Sequence, residues 1–209
     1  MENFDLMAKT YDTERRSNRA ALIAEEIRAH ITDGHKKSAL EFGCGTGLVG
    51  FEMANDFASL LLVDSSPGMI TEVERKLQSL NWPDNVSALC CDLAEAVPRD
   101  LHVDYVFSSL VLHHIGDTRD ILSRVYSILN ENGRILIVDI DEDDGGFHAG
   151  YPGYSGHNGF EKSALIRLAE ESGFINVSAK TFFHGTKNVK DREIPYSMFI
   201  LDAQKTGTE

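Results

Sequence analysis

The chain has 209 residues, of which 42% are hydrophobic and 25% are charged, and this composition predicts one soluble domain with a substantial core. Its formal net charge of −13 disfavours a nucleic-acid partner, because binding a phosphate backbone requires Lys and Arg gathered on one face. Three cysteines give no disulfide framework, and neither a signal region nor an apolar run of membrane length is present, so we expect no export, no membrane partner and a cytoplasmic location.

Two helical segments are predicted before the first strand. Apolar residues recur at helical spacing between Phe4 and Ile31, and the polar run from Thr13 to Asn18 offers a break between the two segments. Gly34 is expected to take the left-handed conformation that follows a helix C-terminus. Residues 1–37 are therefore predicted to form a helical cap.

The stretch Ala39 to Gly50, ALEFGCGTGLVG, predicts a strand, a glycine-rich turn and the start of a helix. Glycines allow unusual backbone angles and let a ligand approach the backbone. Read from Gly45, GTGLVG is a G-x-G-x-x-G dinucleotide fingerprint, and Asp64 lies near the distance of its ribose acid. Read from Gly43, the stretch EFGCGTG resembles motif I of the class I S-adenosylmethionine (SAM) dependent methyltransferases.

Strands and helices then alternate along residues 38–140. The predicted strands are Ser38 to Phe42, Ser59 to Asp64, Asn85 to Cys90, Val103 to Ser108 and Arg134 to Ile140. Between them the predicted helices are Leu48 to Asn55, Met69 to Leu80 and Asp117 to Leu129. This rhythm predicts a parallel sheet with right-handed crossovers, which would form the cofactor-binding core.

The last third of the chain has a different pattern. Asp141 to Gly159 shows no periodicity and is rich in glycine, aromatic residues and histidine, which favours a functional lid loop over residues 141–160. Residues 161–209 predict a helix from Glu161 to Ser172, followed by strands Ile175 to Phe183 and Ile194 to Leu201 that could pair antiparallel.

The methyltransferase resemblance extends over about Ser38 to Ile140. LLVDSSPGMI matches the family's ribose acid at Asp64, and CCDLAE resembles the adenine segment, which implies Asp92 with Leu93. SSLVLHHI resembles motif IV of the subgroup that includes quinone-biosynthesis methyltransferases, and LNENGRILIVD resembles the turn that follows. The resemblance implies a single α/β Rossmann-like domain with a seven-stranded, mostly parallel sheet, an antiparallel last strand and an N-terminal helical cap.

The resemblance also implies SAM as the cofactor and S-adenosylhomocysteine as its product. The expected cofactor-binding residues are Glu41, Gly43, Cys44, Gly45, Gly47, Asp64, Ser65, Met69, Asp92, Leu93 and Ser108. A carboxylate suits Asp64 because it only accepts hydrogen bonds and can take two donors at once. The alternative is that Asp64 caps the next helix and Asp92 caps a turn.

The acceptor side is predicted from the segment after strand four and the lid loop. The expected substrate-binding residues are Ser109, His113, Phe147, His148, Tyr154 and His157, with His113 and Tyr11 as catalytic candidates. An imidazole titrating near neutrality suits a general base, although such histidines also occur as packing elements. His148 and His157 with Asp143 and Asp144 match no tight ligand spacing, so no metal is expected.

Direct in-line methyl transfer to a small molecule is the predicted function, by a monomer or homodimer. The clearest basic pair, Arg15 and Arg16, is short and has Glu14 beside it, so a nucleic-acid acceptor is disfavoured. The segment after strand four also lacks the D/N-P-P-Y pattern of amino-directed nucleic-acid methyltransferases. Two alternatives stay open: an NAD(P)-dependent oxidoreductase that uses GTGLVG as a dinucleotide turn, and a non-catalytic SAM-binding protein.

Overall fold

The computed structural model describes residues 4–79, 82, 84–151, 153–190 and 192–207. Its strands are β1 Ser38–Phe42, β2 Ser59–Asp64, β3 Val86–Cys90, β4 Val103–Ser109, β5 Leu129–Ile140, β6 Phe174–Val189 and β7 Arg192–Lys205. Its helices are α1 Phe4–Met7, α2 Glu14–Arg28, α3 Leu48–Met53, α4 Pro67–Ser79, α5 Thr118–Ile128 and α6 Lys162–Glu171, with 3-10 turns at Ala8–Thr10, Gly34–Lys36 and Leu112–His114.

All seven strands form one sheet in the order β3-β2-β1-β4-β5-β7-β6. Strands β1 to β5 pair in parallel, and β7 runs antiparallel to both of its neighbours. Apolar side chains cover both faces: Tyr105 and Phe107 of β4 pack in one cluster and Val106 packs in the other. The predicted α/β fold with a seven-stranded, mostly parallel sheet and an antiparallel last strand is therefore confirmed.

Parallel pairing brings the carboxyl ends of neighbouring strands to one edge of the sheet. Asp64 ends β2, Asp92 follows β3 and Ser109 ends β4. The 3-10 turn that holds His113 comes directly after β4, and Asp139 lies one residue from the end of β5. Polar groups that are far apart in sequence thus meet at the edge where open α/β sheets bind ligands.

Two details of the helical cap differ from the prediction. The break between the segments lies at residues 11–13 and not within Thr13 to Asn18, because Thr13 caps α2 by accepting the Arg16 N–H. The left-handed residue before β1 is Asp33, with φ 52°, and not Gly34. Gly34 is instead required by crowding, since a Cβ there would lie 2.4 Å from the carbonyl oxygen of Asp56.

The later strands are longer than predicted. Strand β5 begins at Leu129, five residues before Arg134, with a register shift against β4. The hairpin strands extend to Val189 and back from Arg192, because the backbone pairing continues through a polar segment that has no apolar alternation to detect. The predicted helix end at Leu80 and both chain termini lie outside the described residues. No described helix combines the length and apolarity needed to cross a bilayer.

Candidate active site

A cavity of about 960 Å³ lies at the carboxyl edge of the sheet. Its walls come from the glycine turn after β1, the ends of β2 to β4, the N-terminal helices and the loop after β5. The predicted site residues that line it are Tyr11, Glu41, Gly43, Cys44, Gly45, Asp64, Ser65, Met69, Asp92, Leu93, Ser109, His113, Phe147, His148 and Tyr154. Gly47, Ser108 and His157 were predicted with them but do not line the cavity.

The glycine turn presents open backbone to the cavity at Gly45. Gly43, Gly45 and Gly47 all have positive φ, at 65°, 54° and 81°, which disfavours residues with a Cβ. A Cβ at Gly43 would lie 2.4 Å from Val111, whereas a Cβ at Gly45 would meet only Tyr11, at 3.9 Å. A ligand can therefore approach the backbone most closely at Gly45.

Glu41 lies beneath the same turn and is 1% exposed. Burial raises the pKa of its carboxyl well above the usual range. Its Oε2 has no hydrogen-bond partner among the residues that the structure describes. A Cβ at Gly50 would lie 2.5 Å from this oxygen and 2.3 Å from Leu62, so close packing alone accounts for the third glycine of GTGLVG.

Asp64 connects the glycine turn to the start of α4. Its Oδ2 accepts the Gly45 N–H at 2.8 Å, and its Oδ1 accepts the Ser66 N–H at 2.8 Å. Burial raises the pKa of this carboxyl despite both bonds. The helix cap itself is Ser66, whose hydroxyl accepts the Met69 N–H at 3.2 Å. Each oxygen of Asp64 keeps acceptor capacity for a ligand hydroxyl.

Asp92 caps a turn and also lines the cavity. Its Oδ1 accepts the Ala94 N–H at 2.9 Å, which is the turn-capping role considered above. The same residue lines the cavity on the β3 side, one strand away from Asp64. The two carboxylates therefore lie on adjacent strand ends, with capping and ligand contact compatible at each.

The N-terminal segment is tied to the glycine turn by residues that the sequence analysis missed. Asp12 accepts a hydrogen bond from the Thr46 hydroxyl and forms an ion pair of 2.7 Å with Lys76. Lys76 also donates to the Thr46 carbonyl at 2.6 Å. Tyr11, which lines the cavity, lies 4.1 Å from the Arg16 guanidinium measured to its ring centroid. These contacts hold the helical cap over the site.

His113 and Asp139 form a buried pair at the cavity. The His113 Nδ1 lies 2.6 Å from Asp139 Oδ1, and the His113 backbone N–H donates to Oδ2 at 3.2 Å. A carboxylate only accepts, so Nδ1 carries a proton, and in the neutral imidazole it is Nε2 that has the free lone pair. Asp139 was also missed, although an acid inside the apolar run ILIVDI was a signal that could have pointed to it.

The loop after β5 contributes an aromatic wall. His148 stacks on Tyr154 with ring centroids 3.7 Å apart, and it is buried. Neither ring nitrogen of His148 has a hydrogen-bond partner in the described part of the chain. Burial lowers the pKa of His148, and also that of His114, to about 4, so both are neutral at pH 7.

His157 does not line the cavity and instead holds the loop against the turn that carries His113. Its backbone N–H donates to the His113 carbonyl at 2.8 Å, and its Nε2 lies 3.0 Å from the Ile115 carbonyl oxygen. The Tyr154 hydroxyl donates to the His113 and His157 carbonyls at 2.9 Å each. The loop is therefore fastened to the turn that carries His113. Within the described ranges, no three His, Cys, Asp or Glu side chains are arranged to hold a metal ion.

Residues 40–135 match the model of a methyltransferase domain family. This match lies within the strands and the cavity just described. Over residues 40–135 the chain has a methyltransferase domain, and its fold is that of the class I SAM-dependent methyltransferases. The predicted family and its cofactor SAM are thereby confirmed, and the dinucleotide interpretation of GTGLVG is not needed.

Known methyltransferases resemble this chain at modest identity. An uncharacterized methyltransferase of Schizosaccharomyces pombe is 24% identical over 175 residues, which cover 76% of this chain and 62% of that protein. A tRNA U34 carboxymethyltransferase of Shewanella loihica is 30% identical over 144 residues, which cover 66% of this chain and 42% of that protein. The chain thus spans less than two thirds of either relative. The crystal structure of the YcgJ protein of Bacillus subtilis has the same fold, with a TM-score of 0.73, 13% identity, and coverage of 88% of this chain and 98% of that one.

Proposed function

We propose that this methyltransferase transfers the methyl group of SAM to a small-molecule acceptor bound in the cavity at the carboxyl edge of the sheet. The observation that supports the proposal is that a single cavity is lined both by carboxylates that suit SAM and by a histidine that suits a general base. Asp64 and Asp92 line it on adjacent strand ends, and the buried His113–Asp139 pair reaches it after β4.

The residues of the cofactor side fit SAM. The free acceptor capacity of Asp64 suits two ribose hydroxyls, Asp92 suits the adenine amino group, and the open backbone at Gly45 suits the methionine portion. The cavity volume of about 960 Å³ also lies in the range of small-molecule sites. When bound, SAM supplies a methyl group whose bond to the sulfonium sulfur breaks with the electron pair left on sulfur, giving S-adenosylhomocysteine.

The chain would orient the acceptor and remove its proton. His113 Nε2 would accept the proton of an acceptor O–H or N–H as the acceptor lone pair bonds to the methyl carbon. Asp139 holds the imidazole in the tautomer that leaves Nε2 unprotonated. Tyr11 and Phe147 line the same cavity and would exclude water from it, while Ser109 and Tyr154 would contact the acceptor.

A small acceptor is favoured over a nucleic acid by the charge of the chain, although two relatives are named as tRNA U34 carboxymethyltransferases. The test is to incubate the protein with isotope-labelled SAM and either a metabolite extract freed of macromolecules or bulk tRNA. We expect S-adenosylhomocysteine and a labelled small product from the extract only. Label in tRNA would contradict the small acceptor, and SAM binding without turnover of any acceptor would favour the non-catalytic alternative.

Variants show whether the described site produces that turnover. Asp64→Ala should lower turnover by weakening the cofactor, and His113→Gln should lower turnover at saturating SAM. Glu74→Ala changes an exposed acid on α4 and is the matched control. If all three variants behave like the unmodified protein, the site has been placed wrongly.

A further inference from the structure

We propose that the methyl acceptor is a small anion whose carboxylate or phosphate binds the arginine cluster, defined as Arg15, Arg16 and Arg19 of α2, in the cavity wall. This inference rests on the proposed function and adds the chemical class of the substrate. It starts from the distribution of charge around the cavity, which is uneven in a chain with a net charge of −13.

Acids and cations occupy different walls of the cavity. Among the described residues, five acids line the cavity. Glu41, Asp64 and Asp92 belong to β1, the end of β2 and the segment after β3, and Asp117 and Asp120 lie at the start of α5, where Asp120 pairs with Arg124. The cations come from α2 and from Lys187 of β6, which is the strand at the opposite edge of the sheet from β3. The acidic wall coincides with the proposed SAM side, where the ligand is a sulfonium cation. The cationic wall remains for the acceptor.

The arginine cluster occupies one face of α2, because residues four apart on a helix are neighbours. Arg15 donates to the Thr186 carbonyl of β6 at 2.7 Å, and Arg16 donates to the Tyr11 carbonyl at 2.8 Å. None of the three arginines forms an ion pair with a carboxylate among the described residues. By contrast, Lys76 of α4 and Arg124 of α5 pair with Asp12 and Asp120.

Arg19 is the strongest indication of an anion site in the arginine cluster. Its side chain lines the cavity and is partly buried, and within the described ranges it has neither an ion pair nor a hydrogen bond. Partial burial of a guanidinium without an acceptor costs free energy that a bound anion recovers, through the bidentate geometry that suits carboxylate and phosphate.

Lys187 extends the cationic wall toward the aromatic loop, where the neutral His148 offers two ring nitrogens. The Lys187 Nζ lies 3.9 Å from the Phe147 ring centroid and donates to the Phe147 carbonyl at 3.0 Å. His148, 5% exposed and with both ring nitrogens unpartnered among the described residues, lines the cavity beside it. An anionic acceptor would thus place its charge at α2 and its body against Phe147, His148 and Tyr154.

A matched pair of fluorescent probes tests the anion preference without knowledge of the true acceptor. The anionic probe is 1-anilinonaphthalene-8-sulfonate, and N-phenyl-1-naphthylamine has the same aromatic body without the sulfonate. Both are titrated into the full chain, with and without S-adenosylhomocysteine. We expect the anionic probe to bind at least about ten-fold more tightly, and this preference to shrink as salt is added.

Variants of single arginines locate the preference. Arg19→Gln should abolish most of it and Arg19→Lys should restore part of it, whereas Arg167→Gln, at an exposed arginine of α6, should leave it unchanged. Displacement of the bound probe by benzoate or by phenyl phosphate would identify the anion as carboxylate or phosphate. Equal affinity for the two probes, or an unchanged preference in Arg19→Gln, would overturn the inference.

Two further outcomes separate this inference from the function on which it rests. Displacement by tRNA but by neither small anion would overturn the small-anion class in favour of an RNA phosphate. If S-adenosylhomocysteine does not bind while the anion preference persists, the proposed function fails and the anion site stands. If it binds and no preference exists, only the substrate class fails.

Discussion

The Asp139 carboxylate accepts two hydrogen bonds from one residue, His113, through the ring Nδ1 at 2.6 Å and the backbone N–H at 3.2 Å. Both side chains are buried, with 2% exposure at His113 and none at Asp139. The Ile140 N–H also donates to Asp139, at 2.7 Å. The imidazole is therefore fixed in position and in tautomer before any ligand arrives.

Asp139→Asn should lower kcat by about 100-fold if His113 acts as a base. The amide can donate its N–H to Nδ1, which moves the ring proton to Nε2 and removes the lone pair facing the acceptor. SAM affinity should stay the same, so the loss appears in kcat in a steady-state assay. Asp104→Asn is the control, because Asp104 binds Ser38 at the amino edge of the sheet. Equal kcat in all three proteins would refute a role for the pair in catalysis.

Alanine at two glycines of the turn should have different effects. At Gly43 the new Cβ would overlap Val111, so Gly43→Ala should lower the free energy of unfolding by about 2–4 kcal/mol. At Gly45 the space is open, and Gly45→Ala should cost only about 1 kcal/mol from its positive φ.

The same methyl group at Gly45 would enter the cavity, so Gly45→Ala should weaken SAM binding more than it weakens the fold. Chemical denaturation and calorimetric titration of both variants measure the two effects. A Gly45→Ala protein with normal SAM affinity would show that the cofactor does not approach this backbone.

The sequence predicted which residues meet at the carboxyl edge of β1, β2 and β3, because parallel topology constrains their positions. Once β1, β2 and β3 are recognised as parallel neighbours, Gly45, Asp64 and Asp92 must come to one edge. Only His113 of the His113–Asp139 pair was predicted. The pair forms because β4 lies beside β5, which brings the turn after β4 to a residue 26 positions later in the chain.

The acceptor side was harder to predict for different reasons. The loop of residues 141–160 has no periodicity, so nothing in it distinguished His148, which lines the cavity, from His157, which holds the His113 carbonyl. Arg15 and Arg16 were noted only as a short basic pair, because the rotation of α2 over the sheet is a tertiary property. The sequence therefore indicated which residue types lie near the cavity but not how they are arranged around it.

Asp64→Ala should weaken SAM binding by roughly ten-fold to a hundred-fold, since it removes charge-assisted acceptors for hydroxyl groups. Asp92→Ala should have a smaller effect, because its proposed contact is a single amino group. Both affinities are measured by calorimetric titration, with circular dichroism to confirm folding. Unchanged affinity in both variants would mean that SAM does not lie against β2 and β3.

His148 should make the fold less stable in acid. Its pKa is about 4 in the folded chain against an ordinary 6.5, because burial and the nearby His113, Lys187 and His114 outweigh Asp143. Between these two values the unfolded chain binds the extra proton, so the free energy of unfolding falls as the pH drops from 6.5 toward 4.

His148→Leu removes this group and also removes its unpartnered nitrogens. The fall in unfolding free energy over that pH interval should be smaller in the variant by roughly 2 kcal/mol. Urea denaturation of both proteins at several pH values gives the two slopes. Parallel slopes would contradict burial of a neutral His148.

Calorimetric titration of the purified chain with SAM, S-adenosylhomocysteine and NAD⁺ tests directly whether the glycine turn and Asp64 bind SAM. We predict micromolar binding of both SAM ligands, no heat from NAD⁺, and weaker SAM binding by Asp64→Ala. Binding of NAD⁺ with no response to either SAM ligand would contradict it, and would make GTGLVG a dinucleotide turn.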